Sequence, residues 1–414
     1  MIHNLDTRDY EVSGSTACCV ENSAYIVGGH LRGHVGMETF LQVECMNLTT
    51  LAWKSQYHNT NGILNRSFHC SCLIDKEIFV FGGTSAESDA LDQNIHEVIR
   101  ISMTEYGLVS TTFCVDDESA VSLQGQSVCL MGKLKKYVLL YGGMSFVRDE
   151  THHTAVRVYR SNLSSFSAAH VEHPFGHVDV AFEDEVPPGR AFHTAVVCGD
   201  DNEFMIVCGG RNGESILNDI WLLDMSSVLL NQEIINGSSK DKKASESVKE
   251  VIPASAKRKG TQPMIPTARW SRIKFQDDSI FLPRQLHSSY FIPNKKSETA
   301  TQCFGTFHVF GGVGKTGILS SKIEEFNFDF LERGAALSKK VKDHDNMEIA
   351  ANVSLSGYGS TTAAYYGPLD SRHNLPQALL IFGGSYSFNE NRISSYCKAI
   401  IFDDENNILK QVIF

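Results

Sequence analysis

The sequence predicts an all-β protein that forms a single six-bladed β-propeller with four antiparallel strands in each blade. The first observation is a pair of short apolar runs, the second ending on two glycines, which occurs six times. The second observation is spacing, since the first glycines of successive pairs lie 54, 60, 67, 102 and 72 residues apart. A repeat of about 50 residues that holds four strands is typical of a propeller. The diglycines are Gly28–Gly29, Gly82–Gly83, Gly142–Gly143, Gly209–Gly210, Gly311–Gly312 and Gly383–Gly384.

The stretch 188–224 contains three strands of one repeat. Apolar runs at 194–198 and 204–208 are separated by the polar turn Gly-Asp-Asp-Asn, and an alternating run follows at 219–223. Runs of this length, rich in β-branched and aromatic residues between turn residues, predict strands. The diglycine suits a tight bend after a buried strand, because a left-handed residue with a Cβ costs about 1–2 kcal/mol.

Each repeat also has a characteristic start. Three repeats begin with Arg-x-x-His, and the other three have small or polar residues there. The Arg-x-x-His pairs are Arg66/His69, Arg190/His193 and Arg284/His287, and the other starts are 14–16, 125–127 and 359–361. In these features the chain resembles the kelch-repeat family, whose repeat has such a start, a diglycine and a later aromatic pair. The resemblance covers essentially all 414 residues; it implies the fold and is unspecific about function.

The repeats divide the chain into blades, whose strands we call a to d from the inside outward. We expect the inner strands at about 14–20, 67–74, 126–131, 192–198, 286–292 and 359–366. We expect the blades at about 12–55, 66–114, 124–170, 190–275, 284–332 and 357–414. The C-terminal residues supply the fourth strand of blade 6 and complete the ring. In the alternative arrangement, the N-terminal residues pair onto blade 6.

The aromatic residues of the outer strands depart from the kelch pattern. The chain has three tryptophans for these positions, so blades 2, 3, 5 and 6 must use other aromatic residues. We therefore expect irregular outer strands in those blades. The tryptophans are Trp53, Trp221 and Trp270, and the substitutes are Tyr159, Phe166, Phe328 and Phe402.

The antiparallel order of the strands defines two faces. The b–c loops and the d–a connections share one face, which we call the mouth, and the a–b and c–d turns share the opposite face. Acidic runs at 116–118, 183–185 and 277–278 fall mostly on the mouth side. They are either solvated turns or an acidic rim that steers a basic partner.

The three repeat-starting arginines are the main candidate site residues. An arginine near the axis can bind a carboxylate with two hydrogen bonds, and in kelch proteins that bind peptides such positions often line the pocket. The alternative is that each arginine pairs with backbone and carboxylate groups between blades. The partner-binding candidates are Arg66, Arg190, Arg284, Arg211, Tyr358 and Ser360.

Blade 4 carries an insert at about 226–268 between strands c and d. It contains seven Lys/Arg against four Asp/Glu and is rich in Ser and Gly, which predicts a flexible basic loop. As a c–d loop it belongs to the face opposite the mouth, together with the long a–b segments 293–304 and 366–377. These three segments form a candidate surface for a second partner.

Composition narrows the cellular role. The net charge is −11, which argues against direct nucleic-acid binding or an anionic membrane as partner. No apolar run reaches the roughly 18 residues of a membrane span, and the first residues do not resemble a signal peptide. The eleven cysteines are scattered, mostly within predicted strands, which favours free thiols and a cytoplasmic or nuclear location.

Motifs for chemistry are weak. The segment Gly311–Thr316 resembles the end of a phosphate-binding loop, but Val309 stands where its first glycine belongs. His170, His173, His177 and Asp179 are close in sequence, yet they fall in a blade connection where a polar loop is the simpler interpretation. We expect no cofactor, no metal and no enzymatic activity.

The sequence therefore favours a scaffold, adaptor or substrate receptor that binds a peptide or protein at the mouth. A receptor of a ubiquitin ligase that reads a C-terminal carboxylate is one form of this hypothesis. Two alternatives remain: an accessory subunit of a nuclear or cytoskeletal assembly, and a metal-dependent propeller enzyme.

Overall fold

The fold is described from a computed structural model of the chain. Structure is described for residues 12–31, 41–50, 52–57, 63–85, 97–104, 107–114, 123–145, 151–161, 174–183, 185–231, 265–276, 280–293, 303–315, 317–318, 324–331, 334–339, 361–365, 378–382, 398–402 and 408–413.

The described residues contain 34 strands and one short helix. The first two repeats contain β1 (Val12–Ser13), β2 (Thr16–Val20), β3 (Ser23–Val27), β4 (His30–Leu31), β5 (Gln42–Asn47), β6 (Trp53–Tyr57), β7 (Cys70–Ile74), β8 (Glu77–Phe81), β9 (Glu97–Thr104) and β10 (Gly107–Cys114). The third contains β11 (Ser127–Met131), β12 (Tyr137–Tyr141), β13 (Met144–Ser145), β14 (Thr151–His152), β15 (Val156–Ser161) and β16 (Phe175–His177).

The later repeats follow the same plan. The fourth contains β17 (Ala181–Glu183), β18 (Thr194–Cys198), β19 (Phe204–Cys208), β20 (Arg211–Asn212), β21 (Ser215–Ile216), β22 (Ile220–Asp224), helix α1 over 226–231 and β23 (Thr267–Arg272). The fifth contains β24 (Lys274–Phe275), β25 (Ser288–Pro293), β26 (Cys303–Phe310), β27 (Val313–Gly314), β28 (Gly317–Ile318), β29 (Glu324–Leu331) and β30 (Gly334–Lys339). The sixth contains β31 (Thr361–Tyr365), β32 (Ala378–Phe382), β33 (Lys398–Phe402) and β34 (Ile408–Ile413).

These strands have a β-propeller arrangement. Within the described residues each repeat forms one sheet of four or five strands, in the order a-b-c-d from the inside. The inner strands are β2, β7, β11, β18, β25 and β31, and they lie where the apolar runs predict them. Contacts join β31 to β2, β2 to β7, β7 to β11, β11 to β18 and β18 to β25.

Apolar packing between sheets forms the core. Five hydrophobic clusters are described, and each joins the sheets of neighbouring repeats. The cluster between the third and fourth sheets buries Tyr141, Trp221 and Trp270, whereas phenylalanines such as Phe307 and Phe326 fill the junction between the fourth and fifth. In the sixth sheet only the side chain of Leu380 is described, and it packs against the first sheet.

The outer edges differ from the prediction in two sheets. Strand d of the third sheet is β16, beyond the predicted end at 170, and strand d of the fifth is β30, beyond the predicted end at 332. Both strands were missed because their apolar content is small: β16 buries Phe175, and β30 buries the short run Ala335, Ala336 and Leu337. Phe166 lies outside the described residues, and Phe175 supplies the buried aromatic ring of β16.

Two sheets have a fifth strand that the repeat pattern did not predict. The connections into the fourth and fifth sheets contain β17 and β24, which pair in parallel with β23 and β30. Each connection thereby covers the free outer edge of the sheet that it enters, which satisfies backbone groups that an edge strand leaves unpaired.

The two ends of the chain and the insert also bear on the predictions. In the described part of the chain, β1 pairs with β4 rather than with the sixth sheet, whose four strands all come from residues 361–413. The first residues of the predicted flexible insert form α1, where Val228 and Leu229 are buried in the cluster between the third and fourth sheets. The insert therefore begins after 231, and residues 232–264 lie outside the description. None of the helices described is long and apolar enough to cross a membrane.

Candidate functional site at the mouth

The guanidinium group of Arg190 is buried in a network of internal partners. It donates two hydrogen bonds to the Asp219 carboxylate, at 2.8 and 2.9 Å, and others to the carbonyls of Gly209 and Pro188. Trp221 Nε1 donates to the same carboxylate at 2.7 Å. Burial alone would raise the pKa of Asp219, but the hydrogen bonds and charge of Arg190 lower it overall. The side chain of Arg190 is 0% exposed.

Arg284 and Arg66 occupy the equivalent positions in their repeats. Arg284 donates to the Glu324 carboxylate and to the carbonyls of Gly311 and Leu282. Arg66 instead donates to two backbone carbonyls, those of Glu97 at 2.9 Å and Gly82 at 3.4 Å. Burial lowers the pKa of Arg66 to about 10, so the group remains charged at neutral pH.

The three arginines therefore differ from the expected carboxylate-binding centre. All are buried, and the hydrogen bonds described for them go to internal acceptors. Their contacts instead match the alternative given by the sequence analysis, in which each arginine pairs with backbone and carboxylate groups. The reason is that Asp219 and Glu324 stand at the starts of the third strands, beside the arginines at the starts of the first.

The histidines of the same motif join neighbouring sheets. His69, His193 and His287 are buried, and the Nε2 atom of each lies 2.8–3.0 Å from a hydroxyl on the inner strand of the preceding sheet. Burial and the nearby arginine lower the pKa of His69 and of His193 to about 3. These histidines are neutral structural groups. Their hydroxyl partners are Thr16, Ser127 and Thr194.

A ring of backbone hydrogen bonds lies just before the inner strands. One left-handed residue from each of five repeats takes part, with φ between 54° and 71°. The N–H groups of the last four residues each donate to the carbonyl of the equivalent residue in the preceding repeat, at 2.8–2.9 Å. The residues, in order, are Gly14, Phe68, Gly125, Phe192 and Leu286.

The side chains of this ring form an apolar centre at the mouth, which the sequence analysis missed. Phe68 and Phe192 meet edge to face with ring centroids 5.5 Å apart, although they belong to the second and fourth repeats. A Cβ on Gly125 would lie 2.7 Å from the Phe192 ring, so the glycine makes room for it. Phe68, Phe192 and Leu286 are all partly exposed. The sequence signal that could have predicted this centre is the bulky apolar residue directly before the histidine of each Arg-x-x-His.

Short hairpins surround this centre. The residue after each of the first five diglycines pairs with the residue that precedes the left-handed one, as in Ala191 with Arg211 and Gln285 with Val313. Arg211 is partly exposed on the hairpin β20–β21. Arg211 therefore lies at the mouth, and its binding to a partner stays a prediction. Tyr358 and Ser360 lie outside the described residues.

Metal and thiol chemistry has little support among the described residues. They contain no group of three or more His, Cys, Asp or Glu side chains arranged to hold a metal ion. His177 and Asp179 lie 3.4 Å apart on the surface, while His170 and His173 lie outside the description. Burial raises the pKa of Cys18 to about 11 and that of Cys129 to about 12, so these thiols are protonated and unreactive.

Comparisons with known proteins support the fold alone. No family model matches the chain, and no curated protein matches it. Among solved structures, that of a protein called YjhT is similar with a TM-score of 0.53 and 11% sequence identity, over 99% of each chain. At this identity the likeness confirms a β-propeller arrangement and carries no information about activity.

Proposed function

We propose that this protein is a non-enzymatic interaction module, a scaffold, adaptor or substrate receptor, which binds a segment of another protein at the mouth. In this proposal the six sheets close into a six-bladed ring of the kelch type. The six diglycines and the three Arg-x-x-His starts support the kelch assignment, and the contacts between neighbouring inner strands support a ring.

The observation that carries the proposal is the apolar centre formed by Phe68, Phe192 and Leu286. These three bulky residues adopt left-handed backbone conformations, whereas Gly14 and Gly125 occupy the same place in two other repeats. A left-handed conformation costs a residue with a Cβ about 1–2 kcal/mol. Bulky residues held in such conformations concentrate at functional sites, and partly exposed aromatic rings are frequent binding anchors.

The chemistry of the centre indicates what it binds. The positive charges of Arg190 and Arg284 are neutralised by Asp219 and Glu324, so neither offers a carboxylate a free donor. The groups exposed at the axis are aromatic and aliphatic. We therefore propose that the bound segment inserts an apolar side chain between Phe68, Phe192 and Leu286.

The test replaces both phenylalanines by glycine, Phe68→Gly with Phe192→Gly. Glycine adopts this backbone conformation without strain, so the variant should remain folded by circular dichroism and thermal unfolding. Partners recovered from native extract by the wild-type chain should be lost, because each aromatic anchor is worth about 2 kcal/mol or more, roughly thirtyfold in affinity.

The matched control is Phe68→Leu with Phe192→Leu, since leucine occupies the equivalent position in the fifth repeat. This variant keeps an apolar group at the centre and should retain most of the partners. A folded glycine variant that recovers the same partners as the wild type would refute binding at the centre of the mouth.

A further inference from the structure

Two short mouth segments present apolar side chains to solvent in the same way, and we call them the mouth ledges. The first is 186–188, in the connection into the fourth sheet, and the second is 280–282, in the connection into the fifth. Of the seven large hydrophobic side chains that are exposed in the described part of the chain, three belong to the ledges: Val186, 45% exposed, Ile280, 71%, and Leu282, 47%.

The ledges occupy equivalent positions in the repeat. Each lies two to four residues before the repeat-starting arginine, Arg190 or Arg284. In both, the outer residues are exposed and the middle residue, Pro187 or Phe281, is buried. This alternation in two repeats indicates a built feature rather than two unrelated loops.

The buried arginines hold the ledges in place. Arg190 Nε donates to the carbonyl of Pro188 at 3.2 Å, and Arg284 Nε donates to that of Leu282 at 3.4 Å. Phe281 packs in the core, with the Arg284 guanidinium 5.0 Å from its ring centroid. Because the middle residue and the carbonyl are anchored, the exposed side chains cannot turn inward, and a partner would lose little entropy in the protein on binding.

Contacts connect the ledges to the rest of the mouth. Arg284 N–H donates to the carbonyl of Leu217, just after the hairpin β20–β21, and Ala191 N–H donates to that of Arg211 on the same hairpin. This hairpin therefore lies between the two ledges, and Phe192 and Leu286 lie at their inner ends. Val186, Ile280 and Leu282 therefore lie on the same face as Phe192 and Leu286, on the two sides of the hairpin.

The fully exposed charges next to the first ledge and at the turn of the hairpin are carboxylates. Glu185 directly precedes the first ledge, and Glu214 lies at the turn of the hairpin between them; both are exposed. Of the nearby cations, Arg190 and Arg284 are already paired with carboxylates. Arg211, on the same hairpin as Glu214, is only partly exposed, and Lys315 is exposed on the next hairpin, β27–β28. Arg272 and Lys274 lie toward the outer edges of the fourth and fifth sheets, away from the axis.

We infer that the ledges bind an extended peptide that carries apolar side chains together with lysine or arginine. The apolar side chains contact Val186, Ile280 and Leu282, and the basic side chains pair with Glu185 and Glu214. This inference rests on the proposed binding at the mouth, and it adds the sector of the fourth repeat and the chemistry of the partner.

The test uses a random dodecapeptide phage library selected on the full-length wild-type chain. Enriched peptides should combine aromatic or aliphatic residues with Lys or Arg. A synthetic copy of the enriched sequence, labelled with fluorescein, then reports affinity by fluorescence anisotropy. The ledge variant Val186→Ser, Ile280→Ser, Leu282→Ser should bind it at least tenfold more weakly, and Glu185→Lys with Glu214→Lys should bind it several-fold more weakly.

The matched control is Leu134→Ser with Leu230→Ser. These two leucines are 70% and 60% exposed and follow the first and third strands of their repeats, on the face opposite the mouth. The control variant should bind the peptide as the wild type does. An acidic consensus, equal binding by the ledge variant, or the absence of enrichment would overturn the inference.

The outcomes also separate this inference from the proposed function. A peptide that loses binding to the Phe68→Gly, Phe192→Gly variant but not to the ledge variant would leave the proposed function standing and refute the ledges. A peptide whose binding depends on the ledges but not on the two phenylalanines would support the ledges and refute insertion of an apolar side chain between Phe68 and Phe192. Loss of binding in the control variant alone would refute both.

Discussion

The repeats that begin with Arg-x-x-His and those that begin with glycine reach the same backbone arrangement with different side chains. Phe192 and Gly125 have φ values of 56° and 66° and take part in the same chain of hydrogen bonds. His193 lies against Gly142 of the preceding repeat, as Gln126 lies against Gly82. The comparison teaches that the hydrogen-bonded ring needs a left-handed residue followed by a polar side chain. The arginine and the bulky left-handed residue are additions that only the Arg-x-x-His repeats carry.

The additions themselves differ among the three Arg-x-x-His repeats. Arg190 and Arg284 donate hydrogen bonds to a partly buried carboxylate, whereas Arg66 donates to backbone carbonyls and interacts with the Glu97 carboxylate through charge. The first two are also the arginines that hold the mouth ledges. Substitutions can therefore separate the structural part of the motif from the part that shapes the mouth.

The largest effect of a single substitution is expected from Arg190→Ala. It leaves the Asp219 carboxylate, whose side chain is 11% exposed, without its cation, and breaking such a buried pair costs about 3–5 kcal/mol. Arg66→Ala removes hydrogen bonds to carbonyls and should cost about 1–3 kcal/mol. Urea unfolding of both variants measures the difference. Equal losses would mean that the carboxylate does not distinguish the two repeats.

The next effect concerns the glycine that faces the Arg-x-x-His start. A Cβ on Gly142 would lie 2.5 Å from the Arg190 carbonyl oxygen, at a φ of 66°, so Gly142→Ala should cost about 2–4 kcal/mol. Gly213 has a φ of 55° but nothing within 4 Å, and Gly213→Ala should cost only the backbone strain, about 1–2 kcal/mol. Differential scanning calorimetry compares the two, and a larger loss at Gly213 would contradict close packing at the diglycine.

A smaller effect separates histidine from glutamine at the same place. The pKa of His193 is about 3 in the folded protein against 6.5 as its ordinary value. The unfolded chain therefore binds the proton first, and folding stability falls as the pH decreases from 6.5 toward 3. Each such histidine contributes about 1.4 kcal/mol per pH unit in that window.

His193→Gln, which copies Gln126, should reduce the pH dependence of the free energy of unfolding by about that amount. Urea unfolding between pH 4.5 and 8 measures the slope, and the contribution should vanish above pH 7. An unchanged slope below pH 6.5 would show that His193 is not buried and neutral.

The smallest effect is expected in the segment that distinguishes the fourth repeat from the others. Replacing 232–264 by a short Gly/Ser turn should change the melting temperature by only a few degrees, because the sequence predicts a flexible loop there and such a loop adds little to stability. Extending the deletion to residue 226 removes the buried Val228 and Leu229 and should cost about 3–6 kcal/mol. A large loss of melting temperature in the shorter deletion variant would mean that 232–264 packs against the sheets.

Local residues were sufficient to predict the inner half of every sheet. The runs before the diglycines predicted inner strands such as β7 and β18. A short apolar run between turn residues can bury its side chains on both faces when it forms a strand inside a sheet. The diglycines predicted the bends, and Gly28, Gly82, Gly142 and Gly209 all have left-handed φ values. The scattered cysteines predicted buried thiols for a similar reason, since Cys18, Cys72 and Cys129 lie on inner strands.

Tertiary structure alone decided which of those residues face the solvent at the mouth. Arg190 is buried because Asp219, 29 residues later, returns beside it, and Arg284 because Glu324, 40 residues later, does the same. No local pattern states which partner a strand end will meet across a sheet. The same holds for β17 and β24, whose parallel pairing depends on a free edge formed elsewhere. Phe68 and Phe192 come together from repeats more than a hundred residues apart, because closing strands around one axis brings equivalent positions within reach.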